Sequence, residues 1–320
     1  MLKRIIACLS ATLLLASLGL IPGCTSPKQT SPHTTTPTAY NPNPLRNIRF
    51  WAYQINNEDQ PGTIQAYVDS RYDMLVLDDT RSVKGNEAYD VKTDVARLKA
   101  SLNSFGGKKI VIAYMDAGEA EDYRWYWQEG WQIGRPDWIV AKDPGGWKGN
   151  YPVKFWKNEW KELMKQYLDK IIEDGYDGVY LDWLEAYSFG PVKAVAKAEG
   201  LDPEKEMKRF ILDLRSHVEK TKPEFIFIAQ NAAELGKYPE YVYLFDAISQ
   251  EEVFSGKETK TLIDQLKLWQ DLQKPVFNVE YETDPAKAKR LYEIGDMHKY
   301  KTYVTTRELD RPTITLPPGY

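Results

Sequence analysis

Carboxylates follow directly after six short apolar segments of this 320-residue chain. The six stretches hold eleven carboxylates and one arginine: Leu77–Thr80, Tyr114–Glu119, Leu181–Glu185, Gln250–Glu252, Val279–Glu282 and Thr306–Glu308. A single acidic residue on a loop is usually solvated surface, whereas a group at corresponding places indicates a shared site. Two carboxylates held across a pocket suit glycosidic cleavage, because one protonates the leaving oxygen while the other attacks the anomeric carbon or activates a water.

The alternation of side chains along each predicted strand sorts these carboxylates into inward-facing and outward-facing ones. Asp78, Asp182 and Glu280 fall on the inward positions of their strands. In the sixth strand the same alternation favours Glu251 over Glu252. We therefore expect Asp78, Asp182, Glu251 and Glu280 to converge on one cavity, where crowding raises the pKa of at least one carboxyl.

The elements that must position these residues alternate between strand and helix. Eight segments rich in β-branched and aromatic residues are predicted strands: Ile48–Tyr53, Tyr72–Asp78, Lys109–Tyr114, Asp177–Asp182, Phe225–Gln230, Phe245–Gln250, Pro275–Glu280 and Lys301–Thr305. Helical stripes lie between them, with Asp202-Pro203 and Asp284-Pro285 as start signals and Gly175 as a stop signal. Eight such units over roughly 270 residues predict a (β/α)8 TIM barrel, whose active site lies at the carboxyl ends of the strands.

An open doubly wound sheet is the rival architecture. It usually carries a glycine-rich phosphate loop after its first strand, and here that place reads WAYQINNED without a glycine. The connection between the third and fourth strands is long, and seven of the ten tryptophans lie between Trp125 and Trp160. Most tryptophans pack in cores, but we expect some of these at the pocket, where aromatic rings stack on sugar faces. Between the fifth and sixth strands there is room for only a short helix.

The N-terminal segment predicts export and a lipid anchor. Lys3 and Arg4 precede an apolar run, which is the pattern of a secretory signal and is short for a membrane span. The run ends in Ile21-Pro22-Gly23-Cys24, which resembles a bacterial lipobox and predicts cleavage before a lipidated Cys24. Ordinary secretion with an accidental cysteine is the alternative. Residues 25–44 contain five prolines and eight serines or threonines, a composition typical of a flexible linker.

The predicted organisation is a lipoprotein signal peptide at 1–23, a disordered linker at 24–45, a barrel at 46–311 and a C-terminal tail at 312–320. The formal net charge is -4, which argues against a nucleic-acid surface. Two cysteines and three scattered histidines indicate neither a disulfide framework nor a zinc site, and we expect no metal and no cofactor. We expect a monomer on the outer side of a prokaryotic membrane, at the cell surface or in the periplasm.

An ordered set of segments resembles glycoside hydrolase family 114, the endo-α-1,4-polygalactosaminidase type with its prokaryotic extracellular relatives. The segments are Ala113-Tyr114, Gly118–Arg124, Tyr176–Asp182, Ser249–Glu252 and Val279–Tyr281. The resemblance spans about residues 46–310 and implies a barrel that acts on a galactosamine-rich polysaccharide. Two positions depart from the family: Trp183 replaces an asparagine after the aspartate, and Gln250 replaces one before the glutamate.

The resemblance assigns the catalytic pair to Asp182, at the end of the fourth strand, and Glu251, at the end of the sixth. Glu280 is the main rival to Glu251, because many barrel glycosidases use the fourth and seventh strands. The residues expected to contact substrate are Asp78, Tyr114, Glu119, Trp183, Glu280 and Tyr281.

Two other functions fit the same sequence. One is a glycan-binding surface lipoprotein on a barrel without catalytic activity, which would bind sugar through its tryptophans. The other is a metal-dependent hydrolase, in which Asp and Glu side chains hold Mg²⁺ or Ca²⁺.

Overall fold

The computed structural model describes residues 43–257, 259–313 and 315–320. The predicted signal peptide 1–23, Cys24 and residues 25–42 of the predicted linker lie outside the described residues. Pro42–Tyr320 forms one compact unit. Among the described residues, none of the helices combines the length and the apolar composition that a membrane crossing needs.

Eight parallel strands form one sheet, in chain order apart from a small hairpin inserted after the third strand. The barrel strands are β1 (Trp51–Gln54), β2 (Met74–Leu77), β3 (Ile110–Asp116), β6 (Gly178–Asp182), β7 (Ile226–Gln230), β8 (Ala247–Glu251), β9 (Val276–Tyr281) and β10 (Lys301–Thr305). The indole N–H of Trp51 donates to the carbonyl of Lys301 at 2.8 Å, which brings the first and last strands together. The predicted (β/α)8 barrel is confirmed.

Helices cover the outside of the sheet and return the chain from one strand to the next. They are α1 (Thr63–Asp69), α2 (Val91–Ala100), α3 (Asn158–Glu173), α4 (Gly190–Ala198), α5 (Pro203–Val218), α6 (Pro239–Val242), α7 (Thr259–Asp271) and α8 (Pro285–Met297). The predicted start signals are confirmed: Asp202 accepts from the N–H of Glu204 at 3.1 Å, and Asp284 accepts from that of Ala286 at 2.8 Å. Gly175 follows α3 with φ 91°, as a helix stop requires.

The long connection after β3 contains a two-stranded antiparallel hairpin, β4 (Glu119–Glu121) and β5 (Asn150–Pro152). Its aromatic side chains pack on one another and on α3. The ring of Trp138 lies 5.0 Å from that of Trp131 and 5.2 Å from that of Trp160. This connection therefore adds an aromatic cluster that is continuous with the barrel core.

The packed domain is longer at both ends than the predicted boundaries 46–311. Leu45, assigned to the linker, is fully buried, and the Asn43 amide donates to the carbonyl of Asp246 at 2.6 Å. In the predicted tail 312–320, the ring of Tyr320 lies 5.2 Å from Phe50 and 5.0 Å from Tyr72. The predicted boundaries follow amino-acid composition, which does not show that the flanking residues pack against the barrel. With all eight strands and this packing inside it, Pro42–Tyr320 has what it needs to fold on its own.

Candidate active site

A cleft of about 740 Å³ opens at the carboxyl ends of the barrel strands. Six strand ends contribute side chains to its lining: Tyr53, Asp78, Asp116, Asp182, Glu251 and Tyr281. The remaining walls come from the loops that follow the strands and from the inserted hairpin segment. The cleft therefore lies where the parallel-barrel topology places active sites.

Asp182 is the last residue of β6 and is held from two directions. The hydroxyl of Tyr114 donates to its Oδ2 at 2.9 Å, and the backbone N–H of Trp183 donates to its Oδ1 at 2.7 Å. Burial, followed by the nearby charge of Glu251, raises the pKa of Asp182 to about 7. The site therefore retains a proton on a carboxyl group up to near-neutral pH.

Trp183 leaves the strand in the left-handed backbone conformation, with φ 56°. A bulky residue adopts this conformation only where its surroundings impose it. Gly118 lies against this turn, because a Cβ built on it would be 2.1 Å from the Trp183 carbonyl oxygen. The close approach of Gly118 thus allows the turn that directs the N–H of Trp183 to Asp182.

Glu251, at the end of β8, is held by two other residues. The side-chain amide of Asn231 donates to its Oε2 at 2.9 Å, and the hydroxyl of Tyr281 donates to its Oε1. The side-chain oxygen Oδ1 of Asn231 also accepts from the backbone N–H of Glu251 at 3.2 Å. Asn231 directly follows β7 with φ 62°, a conformation that asparagine tolerates better than most residues. Asn231 and Tyr281 thus fix the position of the Glu251 carboxylate.

Glu185 is a third carboxyl group in this part of the cleft, and it was not among the predicted site residues. Its Oε2 is buried without a hydrogen-bond partner among the described residues. Burial and then the charge of Asp182 raise its pKa well above the usual range. The sequence carried a signal for it, since Glu185 stands in the acidic stretch after the fourth strand, but the family resemblance did not select it.

Asp78 lines the cleft next to a buried arginine. Arg124, which is 2% exposed, donates from Nη1 to Asp78 Oδ2 at 2.8 Å and from Nε to Glu121 Oε2 at 2.6 Å. Its Nη1 also donates to the hydroxyl of Ser82 at 2.6 Å. The other carboxylate oxygen of Asp78, Oδ1, is buried and has no partner among the described residues. Arg124 thus compensates the charge of Asp78 and leaves one oxygen available.

Asp116 and Glu119 form a buried acidic pair at the base of the hairpin. Asp116 lines the cleft, and its Oδ1 accepts from the backbone N–H of Glu119 at 2.7 Å. Glu119 is fully buried behind the lining, and the amide of Asn150 donates to its Oε2 at 3.2 Å. Burial and then the charge of Asp143 raise the pKa of Glu119 to about 9. The predicted substrate contact of Glu119 is thus not placed on the cleft surface, where Asp116, Asp143 and Asn150 lie instead.

Glu280 also lies outside the cleft, so the predicted convergence of four inward carboxylates is wrong for this residue. It is fully buried in β9, where its carboxylate accepts from the backbone N–H groups of Phe254 at 2.8 Å and Ser255 at 3.2 Å. The side-chain amide of Asn278 donates to it at 3.1 Å. The alternation of side chains correctly predicts that Glu280 faces inward. It does not predict that the loop after β8 folds over this residue. Glu280 holds the loop that begins beside Glu251.

Among the described residues, seven aromatic side chains line the cleft: Tyr53, Tyr114, Tyr123, Trp147, Trp183, Phe189 and Tyr281. Two of them are tryptophans, Trp183 and Trp147, and Trp147 is 45% exposed. Trp138 and Trp160 are buried in the hairpin core. The expectation that most tryptophans of the cluster pack inside, with some at the pocket, agrees with this arrangement.

Within the part of the chain that the structure describes, no group of three or more His, Cys, Asp or Glu side chains is arranged to hold a metal ion.

Solved structures of two glycoside hydrolases share this fold. Aspergillus fumigatus Ega3 in complex with galactosamine has a TM-score of 0.58 and 16% identity, with coverage of 82% of this chain and 93% of that one. The glycoside hydrolase domain of PelA from Pseudomonas aeruginosa has a TM-score of 0.59 and 15% identity, with coverage of 84% and 98%. At this identity the likeness supports the barrel fold alone.

Two relatives are similar over most of their length. An uncharacterized protein of Deinococcus radiodurans is 31% identical over 324 residues, which cover 95% of this chain and 99% of that protein. An uncharacterized protein of Methanocaldococcus jannaschii is 33% identical over 291 residues, with coverage of 82% and 78%. A sequence profile of the glycoside-hydrolase family GH114 matches residues 30–316. Since the profile spans the whole barrel, this chain belongs to glycoside-hydrolase family GH114, as its ordered motifs predicted.

Proposed function

We propose that this protein is a lipid-anchored hydrolase that cleaves an α-1,4-galactosaminan-like polysaccharide, with Asp182 and Glu251 as its catalytic carboxylates. One observation carries the proposal: two carboxylates with separate supporting residues face the same acidic cleft and interact electrostatically. Membership of GH114 supports glycosidic cleavage as the reaction. Family membership does not specify the substrate or the lipid anchor, and both are part of the proposal.

The chemistry requires one proton on the pair at the start of the reaction. Burial and then the charge of Glu251 raise the pKa of Asp182 to about 7, so Asp182 keeps a proton up to near-neutral pH. The protonated group gives its proton to the leaving oxygen, while the ionised group attacks the anomeric carbon or activates a water. Tyr114 and Tyr281 donate hydrogen bonds to the two groups and hold them in place throughout.

The charge of the lining favours a cationic sugar polymer. Among the described residues, eight acidic side chains line the cleft against three basic ones. Burial raises the pKa of four of the eight, Glu58, Asp116, Asp182 and Glu185, and a bound ammonium group would favour their charged forms again. Of the three basic side chains, Arg124 is bound to Asp78 and Arg307 lies 3.3 Å from Glu252. An ammonium group on an amino sugar would gain about 1 kcal/mol from each exposed carboxylate contact. The galactosamine complex of Ega3, a protein of similar fold, is consistent with this substrate class.

Buried carboxylate oxygens without hydrogen-bond partners also favour an amino-sugar polymer as the substrate. Asp78 Oδ1, Asp116 Oδ2 and Glu185 Oε2 have no hydrogen-bond donor among the described residues, and all three side chains line the cleft. Buried acceptors without donors are rare and need an explanation. Ammonium and hydroxyl groups of a bound sugar chain would supply the missing donors, and Trp147 and Trp183 would pack on the sugar faces.

The lipid anchor is proposed from the sequence around Cys24. Metabolic labelling with palmitate, followed by mass spectrometry of the N-terminal peptide, tests it directly. We expect label on the wild type and none on Cys24→Ala. A mature protein that starts at another residue without lipid would contradict the anchor and leave the hydrolase proposal unaffected.

The activity test measures release of reducing ends from a panel of polymers. The panel contains deacetylated and acetylated α-1,4-galactosaminan and a β-linked amino-sugar polymer as reference. Asp182→Asn and Glu251→Gln are compared with Glu252→Gln, which changes the neighbouring carboxylate, a group that does not line the cleft. We expect cleavage of deacetylated galactosaminan, a loss of about a thousandfold or more in the first two variants, and near-normal activity in the control.

Three results would contradict the proposal. Equal activity of wild type and Asp182→Asn would mean that the active site lies elsewhere. Tight binding of a polymer without cleavage would support the glycan-binding alternative. Preferential cleavage of the β-linked polymer would retain the hydrolase and reject the substrate.

A further inference from the structure

The end of the barrel opposite the cleft has the reverse charge. We call this surface the floor and define it as the segments before the strands: 43–50, 70–73, 101–109, 174–177, 219–225, 243–246, 272–275 and 298–301. The floor contains ten lysines and arginines and six aspartates and glutamates, a balance of +4 in a chain of net charge -4. Two of the six acids, Asp73 and Asp174, are each only 1% exposed. The basic surplus therefore dominates the accessible part of the floor.

A second cavity, of about 660 Å³, lies in the floor. Its lining includes Arg46, Lys274, Lys299 and Lys301, without a carboxylate among the described residues. The ammonium groups of Lys274 and Lys301 donate to backbone carbonyls, those of Phe245 and Ile48 at 2.5 Å each. Burial lowers the pKa of both lysines. The carboxylates that act on them against burial are Asp246 for Lys274 and Asp73 for Lys301, and neither carboxylate lines the cavity.

Large apolar side chains stand exposed beside these cations. Leu102 and Phe105 are 65% and 58% exposed, Tyr243 is 64% exposed, and Met297, at the edge of the floor, is 78% exposed. The guanidinium of Arg49 lies 5.5 Å from the ring of Phe105, and the ammonium of Lys274 lies 5.7 Å from that of Tyr243. Met297 lines the same cavity as Lys274. Basic and apolar groups on one surface are the combination that binds the interface of an anionic bilayer.

We propose that the floor docks on an anionic lipid bilayer, with lipid phosphates in the cavity lined by Lys274, Lys299 and Lys301, and with Phe105, Tyr243 and Met297 at the boundary with the acyl chains. A bilayer fits better than a soluble polyanion, because a polyanion would leave four large apolar side chains in water. The described chain also begins in the floor, at Asn43, which follows the predicted lipidated Cys24 by 19 residues in the sequence. Docking in this orientation turns the cleft away from the membrane.

The test uses Pro42–Tyr320, the compact unit, so that no lipid anchor contributes. Co-sedimentation is measured with vesicles of phosphatidylcholine alone and of phosphatidylcholine mixed with phosphatidylglycerol, at low and high salt. We expect binding to the mixed vesicles only, and weaker binding as salt rises. The double variant R49E/K299E should bind about tenfold more weakly or worse. Its matched control is K193E/K197E, the same charge change on exposed lysines of α4, near the cleft.

A second pair of variants tests the apolar contribution. F105S/M297S should weaken binding to the mixed vesicles severalfold, whereas Ile133→Ser, at an exposed position of the hairpin segment, should not. The proposal is overturned if mixed vesicles are not bound, or if K193E/K197E loses as much as R49E/K299E. It is also overturned if F105S/M297S binds normally while soluble polygalacturonate displaces the protein, since the floor would then be a polyanion site. Circular dichroism of each variant establishes that it is folded.

Discussion

The two ends of this barrel differ in charge and in backbone conformation. The cleft end is acidic, and six of the eight described non-glycine residues with positive φ lie there: Asn57, Trp183, Asn231, Ala232, Glu252 and Leu309. The other two, Gln273 and Lys299, follow the ends of α7 and α8 in the floor, where a left-handed residue is an ordinary way to end a helix. Unusual backbone conformation is thus concentrated where the cleft residues are held.

This difference indicates how the fold divides its tasks. The same eight strands support both ends, but buried carboxylates and strained turns at one end reduce stability in return for a preorganised site. The floor holds two buried carboxylates, Asp73 and Asp174, and its two left-handed residues end helices, while most of its charges are exposed. Substitutions of cleft residues should therefore change stability and activity together, and those of exposed floor residues should change neither.

The largest expected effect is on stability at the cleft end. Arg124→Met removes the cation that Asp78 and Glu121 share in a buried site, and we expect a loss of about 3–5 kcal/mol in the free energy of unfolding. Urea denaturation measures this. The control is Arg307→Met, which removes an arginine that is 57% exposed and should cost at most about 1 kcal/mol. Equal losses of unfolding free energy in the two variants would mean that the buried arginine contributes no more to stability than the exposed one.

A smaller effect is expected from one methyl group. Gly118→Ala places a Cβ against the Trp183 carbonyl, so the turn after β6 must move and Asp182 with it. We expect kcat/KM to fall about tenfold to a hundredfold. Gly190→Ala, at a position with nothing within 4 Å of the added Cβ, is the matched control and should be normal. Normal activity in both variants would mean that the turn does not position Asp182.

The activity should fall at the pH where Asp182 loses its proton. The pKa of Asp182 is raised to about 7, so the proton is present below that pH and leaves above it. We expect kcat/KM to decline above about pH 7, by about tenfold per pH unit once the proton is lost. A profile measured on a soluble oligosaccharide tests this, and a constant rate up to pH 9 would contradict a role of the Asp182 proton in the reaction.

The smallest expected effect is in the floor. R49E/K299E should hydrolyse a soluble oligosaccharide with a kcat/KM within about twofold of the wild type, because both positions lie at the end opposite the cleft and electrostatic effects at that distance are screened. The same assay on the K193E/K197E control completes the comparison. A large loss of activity in R49E/K299E alone would show that the two ends are coupled.

The sequence predicted the barrel because the signals for it are local. Aspartate caps, a stop glycine and β-branched runs each act within a few residues, and all eight predicted strands are present, with shifts at their ends such as the start of β1 at Trp51 instead of Ile48. The sequence also predicted that the connection before β8 holds only a short helix, which is α6. The long hairpin connection could be located but not described, because its packing depends on aromatic contacts across thirty residues.

The cleft was only partly predictable, for a physical reason. Alternation predicts which side of a strand a residue faces, and it placed Asp78, Asp182 and Glu251 on the cleft. It does not predict which loop covers a position, so Glu280 was assigned to the cavity although the N–H groups of Phe254 and Ser255 occupy its carboxylate. Asn231 was not selected, although it directly follows the predicted fifth strand. Its role depends on a contact with Glu251 at the end of the neighbouring strand β8, which no local pattern encodes.

The hairpin segment between β3 and α3 separates the wall of the cleft from the strands that carry its carboxylate pair. Most of its aromatic side chains pack away from the cleft, on one another and on α3, and Arg124 and Phe155 connect it to Asp78 and to Phe210 of α5. It nevertheless contributes Asp143 and Trp147 to the cleft. Substitutions in the loop that carries these two residues would change the wall of the cleft while the strands that carry Asp182 and Glu251 remain unchanged. The cleft wall and the carboxylate pair can therefore be altered one at a time.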